Sequence, residues 1–233
     1  FGGLRRSNTE VTYGGQGTHH TEQWMKKAKA SGTDFLNIGP LRDDIDPQIQ
    51  PRWQPIRPGT DVAFILACIH TLIDKDLIDD GFVGTYVHGW EKFSDYVMGK
   101  SDQQAKSAEW ASGITGIDAR TIEDLALEMS NRRTLINVGL SVQRADHGEQ
   151  SYWAATALAC ALGQVGLPGG GIAFPFGAQG NVGAGQVRKR VPGMPIPPRP
   201  QGPPVISVSR FRELLANPGA RYDFNGESGE FPD

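Results

Sequence analysis

The reading of this chain turns on one stretch: Thr134-Leu135-Ile136-Asn137-Val138, then Gly139-Leu140-Ser141-Val142-Gln143-Arg144-Ala145-Asp146-His147-Gly148, then an apolar run of small residues beginning near Glu149. Residues Thr134 to Val138 read as a buried strand, and Ser151 to Leu162 as a nearly all-apolar helix. The polar loop between them stands where open parallel sheets bind ligands, outside the carboxyl end of a strand and before a helix N-terminus. An unsatisfied first helical turn offers backbone N–H donors, and Arg144 offers a planar fork matched to a phosphate or a heterocycle edge. Pattern alone also admits a plainer reading, in which Arg144 pairs with Asp146 or Glu149 as a surface ion pair.

Working outward, His20 to Ala30 is a helix candidate with Thr18 as its cap, Trp24, Met25 and Ala28 as its apolar stripe, and Gly32 as its stop. Asp34 to Ile38 follows as a short strand ended by Gly39-Pro40, which completes half of a βαβ unit. A polar, proline-punctuated link runs from Leu41 to Gly59. Thr60 then caps a helix in which Val62, Ala63, Leu66, Ala67, Ile69 and Ile73 keep helical spacing. Between Asp79 and Gly116 short amphipathic pieces carry Phe82, Tyr86, Trp90, Phe93, Tyr96 and Trp110 as anchors, and a helical excursion packed on the sheet is expected. Asp118 caps a further helix to about Ser130, with Ile122, Leu125, Ala126 and Met129 on one face. Strands alternating with helices of this length predict an α/β fold, a parallel sheet flanked by helices.

Beyond Gly166 the composition shifts to glycine and then to a proline-rich run from Pro192 to Pro204. Such a stretch is expected to form an extended surface or interdomain loop. A last short helix is expected over Ser209 to Ala216. The domain reading is an α/β domain over 1–175 and a Gly/Pro-rich interdomain loop with the start of a further segment over 176–233.

Composition narrows the function classes. A chain of 233 residues with 38% hydrophobic content can bury a sizeable core. Its formal net charge of −3 comes from interspersed charges, without the basic stripe that nucleic-acid binding calls for, so no nucleic-acid partner is expected. No window of about 18 apolar residues exists, so no transmembrane segment is expected. Cys68 and Cys160 lie in apolar helical patterns without metal-ligand spacing and read as buried thiols, which suit cytoplasm and periplasm equally. Phe1-Gly2-Gly3-Leu4 and the final Glu230-Phe231-Pro232-Asp233 both look cut, so any targeting signal is expected outside this stretch. His70, His88, Trp90, Trp110 and Trp153 read first as packing residues, and Asp43-Asp44 and Asp79-Asp80 as turns or caps. A nicotinamide site is opposed by the missing GxGxxG after a first strand; Gly14-Gly15-Gln16-Gly17 has no clear strand before it.

Two motifs carry a family resemblance: Gln143-Arg144-Ala145-Asp146-His147-Gly148-Glu149-Gln150 and, downstream, Leu162-Gly163-Gln164-Val165-Gly166-Leu167-Pro168-Gly169-Gly170-Gly171. Together they resemble the molybdopterin oxidoreductases that reduce dimethyl sulfoxide, trimethylamine N-oxide and biotin sulfoxide. Arg57-Pro58-Gly59-Thr60-Asp61, Glu109-Trp110-Ala111, Gly113-Ile114-Thr115-Gly116 and Pro40-Leu41-Arg42-Asp43-Asp44 resemble the same family, in consistent order from about Phe1 to Gly185. The last of these resembles biotin sulfoxide reductase-like members.

The resemblance implies an internal piece of a multidomain bacterial oxygen-atom-transfer enzyme of periplasm or cytoplasm, built around Mo-bis(molybdopterin guanine dinucleotide). It implies that this piece is one of two dinucleotide-binding-like α/β domains. By position, Leu140, Ser141 and Arg144 match a cofactor-contacting loop, with Gln143 and His147 beside it. Ile38, Gly39 and Pro40 match a strand end that meets the guanosine, His19 and His20 a contact at the first helix, and Gly3 the first strand-end turn. Many relatives have Ile-Asp-Pro where this chain has Ile38-Gly39-Pro40; an acidic group there can accept from a ribose hydroxyl, a role left here to Asp43 or Asp44. The metal ligand and substrate funnel are expected outside the stretch, so neither a catalytic nor a metal-ligating residue is assigned within it. The partners implied are an S-oxide or N-oxide substrate, the remaining domains of the parent chain and an electron donor. A noncatalytic α/β binding module without metal cofactor is the alternative from another class.

Overall fold

The computed structural model describes residues 1–3, 21–173, 206–224 and 226–232. The chain divides into two compact units, Phe1–Val187 and Arg188–Asp233. In the first, α1 (Thr21–Ala30) leads to β1 (Leu36–Ile38), two 3-10 turns (Arg42–Asp44 and Pro47–Ile49) and β2 (Arg52–Gln54). Then come α2 (Asp61–Asp74), α3 (Asp80–Tyr86), α4 (Trp90–Val97), α5 (Ala108–Thr115) and α6 (Ala119–Ser130). β3 (Leu135–Asn137), a 3-10 turn (Leu140–Gln143), α7 (Glu149–Ala161) and β4 (Gly171–Ala173) complete the described part.

The core is organised by α2. Ala63, Phe64, Ile65, Leu66, Ala67, Cys68, Ile69 and Leu72 are all buried along it, and a helix apolar on every side must be surrounded. Helices α4, α5, α6 and α7 all pack against it. Ile38 of β1, Ile136 of β3 and Val138 beyond it join the same buried cluster, as do Ala154, Ala155 and Leu158 of α7. Asp118 caps α6 as expected, its side chain accepting from the N–H groups of Arg120 and Thr121. Thr60 precedes α2 without capping it through its side chain; its hydroxyl instead donates to Arg57 O at 2.7 Å.

The helical excursion differs from expectation in what it covers. α5 packs on α2 and α6, α4 on α2, and α3 on α7, so helices rather than strands receive it. Three-residue strands offer too little face, whereas α2 exposes apolar surface all round. Tyr86 is 74% exposed and lies against the Phe82 ring outside the core, whereas Trp90, Phe93 and Trp110 pack against the core. Cys68 is buried, but Cys160 is only partly so.

In place of the single sheet expected, the described strands form two-stranded ladders. β1 pairs in parallel with β2, Leu36 opposite Arg52 and Ile38 opposite Gln54. β3 pairs in parallel with β4, Leu135 opposite Gly171 and Asn137 opposite Ala173. Phe1 lies along the other edge of β3: its nitrogen donates to Asn137 O at 2.8 Å and its carbonyl accepts from Gly139 N at 2.7 Å. That alternation is the hydrogen-bond pattern of a parallel neighbour. The unit is therefore mixed α/β, with parallel pairing in both of its ladders.

In the second unit a 3-10 turn (Val208–Arg210) runs into α8 (Phe211–Ala216), near the helix expected there. An antiparallel hairpin of β5 (Arg221–Phe224) and β6 (Glu227–Glu230) follows. Tyr222 and Phe231 stack with ring centroids 4.5 Å apart and are both buried. Among the described residues no helix is long and apolar enough to cross a membrane.

Candidate functional site

Val138, which is buried, follows β3, and the chain then turns sharply at Gly139. The Gly139 N–H donates to Phe1 O, and its carbonyl accepts from the Tyr152 hydroxyl at 3.0 Å. No side chain fits there, because a Cβ on Gly139 would stand 2.4 Å from Gly2 O. Ser141 Oγ donates to that same Gly2 carbonyl at 3.2 Å. Gly3 in turn has φ +77°, and a Cβ on it would lie 2.8 Å from Asp44 O. The first three residues are thereby wedged between the turn after β3 and the turn after β1. The structure thus gathers Gly3, the segment 39–44 and the segment 139–144 at one place.

The turn after β1 is held by two side chains. Trp53 Nε1 donates to Gly39 O at 2.9 Å, and Asn37 Nδ2 donates to Leu41 O at 3.1 Å. Ile38 points its side chain into the core, so only its backbone is offered to the turn. Pro40 and Asp43 are exposed, whereas Asp44 backs onto Gly3. Asp43 is therefore the carboxylate of this turn that is open to a ligand.

The loop from Leu140 to Gly148 is wound tightly on itself. Arg144 N donates to Ser141 O at 3.0 Å, Gly148 N to Ala145 O at 3.1 Å, Gln150 N to His147 O at 3.0 Å and Ser151 N to Gly148 O at 3.3 Å. These i to i−3 bonds use donors that were expected to be open to an anion, a common way of satisfying a helix start. His147 adopts a left-handed φ of 52°, a conformation that costs a non-glycine residue and that surrounding structure must enforce. Gly148 supplies that enforcement: it presses so closely on Gln143 that a Cβ would stand 2.3 Å from Gln143 O.

With part of the amide donors used in this way, the positive charge of the loop is that of Arg144. Its side chain is exposed, and among the described residues no carboxylate stands within ion-pair distance of it. Asp146, one partner the plainer reading offered, instead sits 3.1 Å from His147 Nδ1. The Arg144 charge is felt by Tyr152. Burial raises the Tyr152 phenol above its ordinary value, while a hydrogen bond from Gln143 and the positive charge of Arg144 pull it back.

Tyr152 was not picked out in the sequence, because a tyrosine in the first turn of a helix carries no motif. Asn137 was equally silent; its side-chain Nδ2 and Oδ1 are buried and have no hydrogen-bond partner among the described residues, a state that costs about 1–3 kcal/mol per group. His19 and His20 lie outside the described residues. Of Leu140 only the backbone is described, at the head of the 3-10 turn. Among the described residues no three His, Cys, Asp or Glu side chains cluster so as to hold a metal ion.

The first unit is mixed α/β, with two strand ends and a guanidinium that has no carboxylate partner among the described residues. The family is more particular: the chain belongs to the molybdopterin oxidoreductases, whose family profile, "Molybdopterin oxidoreductase", matches residues 9–204. The chain is 36% identical over 233 residues to a biotin sulfoxide reductase of Cereibacter sphaeroides, covering 100% of itself and 31% of that relative. It is 38% identical over 224 residues to a dimethyl sulfoxide/trimethylamine N-oxide reductase of Rhodobacter capsulatus, covering 92% of itself and 27% of the relative. A trimethylamine-N-oxide reductase of Haemophilus influenzae is 34% identical over 225 residues, with 91% and 27% covered. The chain therefore spans less than a third of these relatives' length. Acetylene hydratase from Pelobacter acetylenicus shares the fold, with a TM-score of 0.54 at 22% identity over 64% of this chain and 20% of that one. Family membership makes this a molybdopterin-type oxidoreductase sequence and implies a molybdenum-pterin cofactor.

Proposed function

We propose that this chain is part of a molybdenum-dependent enzyme that reduces S-oxides or N-oxides by oxygen-atom transfer, and that its first unit grips Mo-bis(molybdopterin guanine dinucleotide). The observation that carries the reading is Arg144: a guanidinium with no carboxylate partner among the described residues, on a tightly braced turn just beyond β3. The residues fit an anionic dinucleotide. A fork-shaped cation binds phosphate oxygens through charge-assisted hydrogen bonds, and a braced turn lowers the cost of ordering it. Gln143 and His147 are exposed on the same loop, and Asp43 is exposed on the turn after β1, where it can accept from a ribose hydroxyl.

The cofactor, when bound, supplies the two-electron and oxygen-transfer chemistry; the protein's part is to hold, orient and tune. Here Arg144 neutralises charge, the turn braced by Gly139 and Gly3 fixes where that charge stands, and the segment 39–44 closes the other side. An S-oxide substrate of the biotin sulfoxide kind is favoured, because the relative matched over the whole chain bears that name and the Pro40-Leu41-Arg42-Asp43-Asp44 segment resembles that branch.

Extraction of cofactor from the full-length parent tests the reading. Molybdenum and guanine nucleotide are expected in stoichiometric amounts. Arg144→Ala is expected to lower both by about tenfold or more, since a hydrogen bond to a charged group contributes roughly 1.5–3 kcal/mol. A variant that loses thermal stability yet keeps full molybdenum overturns the assignment, and a parent without pterin points to a noncatalytic module.

A further inference from the structure

The loop that bears Arg144 has a brace that neither the motif nor the family likeness singles out. Tyr152 sits in the first turn of α7, partly buried and packed against the main core. Its hydroxyl donates to Gly139 O at 3.0 Å, the carbonyl that opens the turn after β3. The same oxygen is bonded by the side chain of Gln143, the last residue of the 3-10 turn, and Arg144 follows directly, its charge close enough to act on the phenol. One hydroxyl therefore joins the two ends of the turn over Leu140–Gln143 to the helix behind it. The donor is Gln143 Nε2 and the final acceptor is the Gly139 carbonyl, so the oxygen both accepts and donates. Phenylalanine would keep the ring and its packing but break both bonds at once.

Lys106 is buried and unusual, but Asp102, the Gln104 carbonyl and the Tyr96 ring satisfy it, which makes it a structural clasp for the 99–106 loop. The cavity lined by Leu36, Trp53, Leu125 and the Arg52–Glu128 ion pair has its charges already matched.

We infer that Tyr152 is a positioning residue for anion binding, its hydroxyl holding the Gly139–Gln143 turn in the shape that aims Arg144 at the ligand. This rests on the reading of the Arg144 loop as a dinucleotide-phosphate site. A turn fixed only by its own i to i−3 bonds can twist about its ends, whereas a hydroxyl that ties its opening carbonyl to α7 reduces that freedom before the ligand arrives. The ordering cost is met in folding and not in binding.

The test is a double-mutant cycle in the cofactor-free full-length parent, with guanosine diphosphate as the probe and its Kd read by calorimetry. Arg144→Ala is expected to raise Kd at least tenfold, and Tyr152→Phe three- to tenfold. If Tyr152 acts through Arg144, adding Tyr152→Phe to Arg144→Ala is expected to change Kd by less than twofold. A merely structural tyrosine would lower the thermal midpoint and give independent, multiplying effects on Kd, or none; either result overturns the inference while leaving the Arg144 site in place. An unchanged Kd in Arg144→Ala removes the site itself, and the inference with it. Should Tyr152→Phe fold poorly, hydrogen exchange in the unmutated parent decides: the 139–144 amides of a turn already held in shape are expected to slow less than twofold on binding guanosine diphosphate, and a large slowing overturns the inference.

Discussion

Gly139 shows how much a single missing side chain decides here. Its φ of −72° is open to any residue, so the demand for glycine is one of space: the Gly2 carbonyl occupies the volume a Cβ needs. Gly139→Ala is expected to push the turn off its Phe1 and Tyr152 contacts at a cost of about 1–3 kcal/mol, the usual range for overpacking. Hydrogen exchange at the 139–144 amides should quicken and molybdenum content should fall, whereas unchanged exchange would show that the first three residues give way instead. Arg144 drew notice in the sequence because it stands on a polar loop between a strand and a helix, although the pattern equally allowed a surface ion pair. Tyr152 could not, because its role depends on which carbonyl its hydroxyl reaches, and no spacing rule encodes that.

Among the elements, the helices were legible and the strands only half so. Apolar spacing and the Asp118 cap announce α2 and α6, and the small-residue run announces α7. β2 hides in a proline-punctuated link and β4 in a glycine run, each three residues long and recognisable only beside its partner. The partners are remote along the chain, so no local pattern marks them. The central helix also carries a pH dependence. His70 on α2 is partly buried, and burial holds its pKa below the usual 6.5 despite the nearby Asp74, Glu109 and Glu123 carboxylates. The folded state therefore resists a proton that the unfolded state accepts. Stability is unaffected well above pH 6.5 and declines as pH falls through that value toward the lowered one. His70→Gln is expected to flatten the loss between about pH 7 and pH 5.5, read as the denaturation midpoint across pH. An equally steep decline in the variant would assign the effect to other groups.

Across the first unit, two turns far apart in sequence are joined by three residues at its beginning. Gly3 touches Asp44 after β1, and Phe1 and Gly2 touch Gly139 and Ser141 after β3. A side chain at Gly3 would meet Asp44 and would also be forced into a left-handed φ, which costs of order 1–3 kcal/mol. Gly3→Ala in the full-length parent is expected to speed hydrogen exchange at both turns together and to lower cofactor content. Exchange that quickens at only one turn would show that the two are braced independently. The charge pairs that tie α1, β2 and α6 together, Lys29 to Asp34, Asp34 to Arg132, Arg132 to Glu128 and Glu128 to Arg52, lie at the surface and are expected to matter less than this wedge.

What the sequence determined by itself was the family, the order of helices and the loop that carries the cation, because periodicity, caps and long motifs are local and survive without coordinates. What the tertiary structure alone decided was how the ladders pair, that α2 rather than a broad sheet gathers the helices, and that several amides of the loop and of the first turn of α7 are bonded within the loop itself. Those outcomes rest on contacts between distant segments, Phe1 with Gly139, Gly3 with Asp44, Tyr152 with the turn before it. Close packing and hydrogen-bond satisfaction choose such contacts only once the chain has folded.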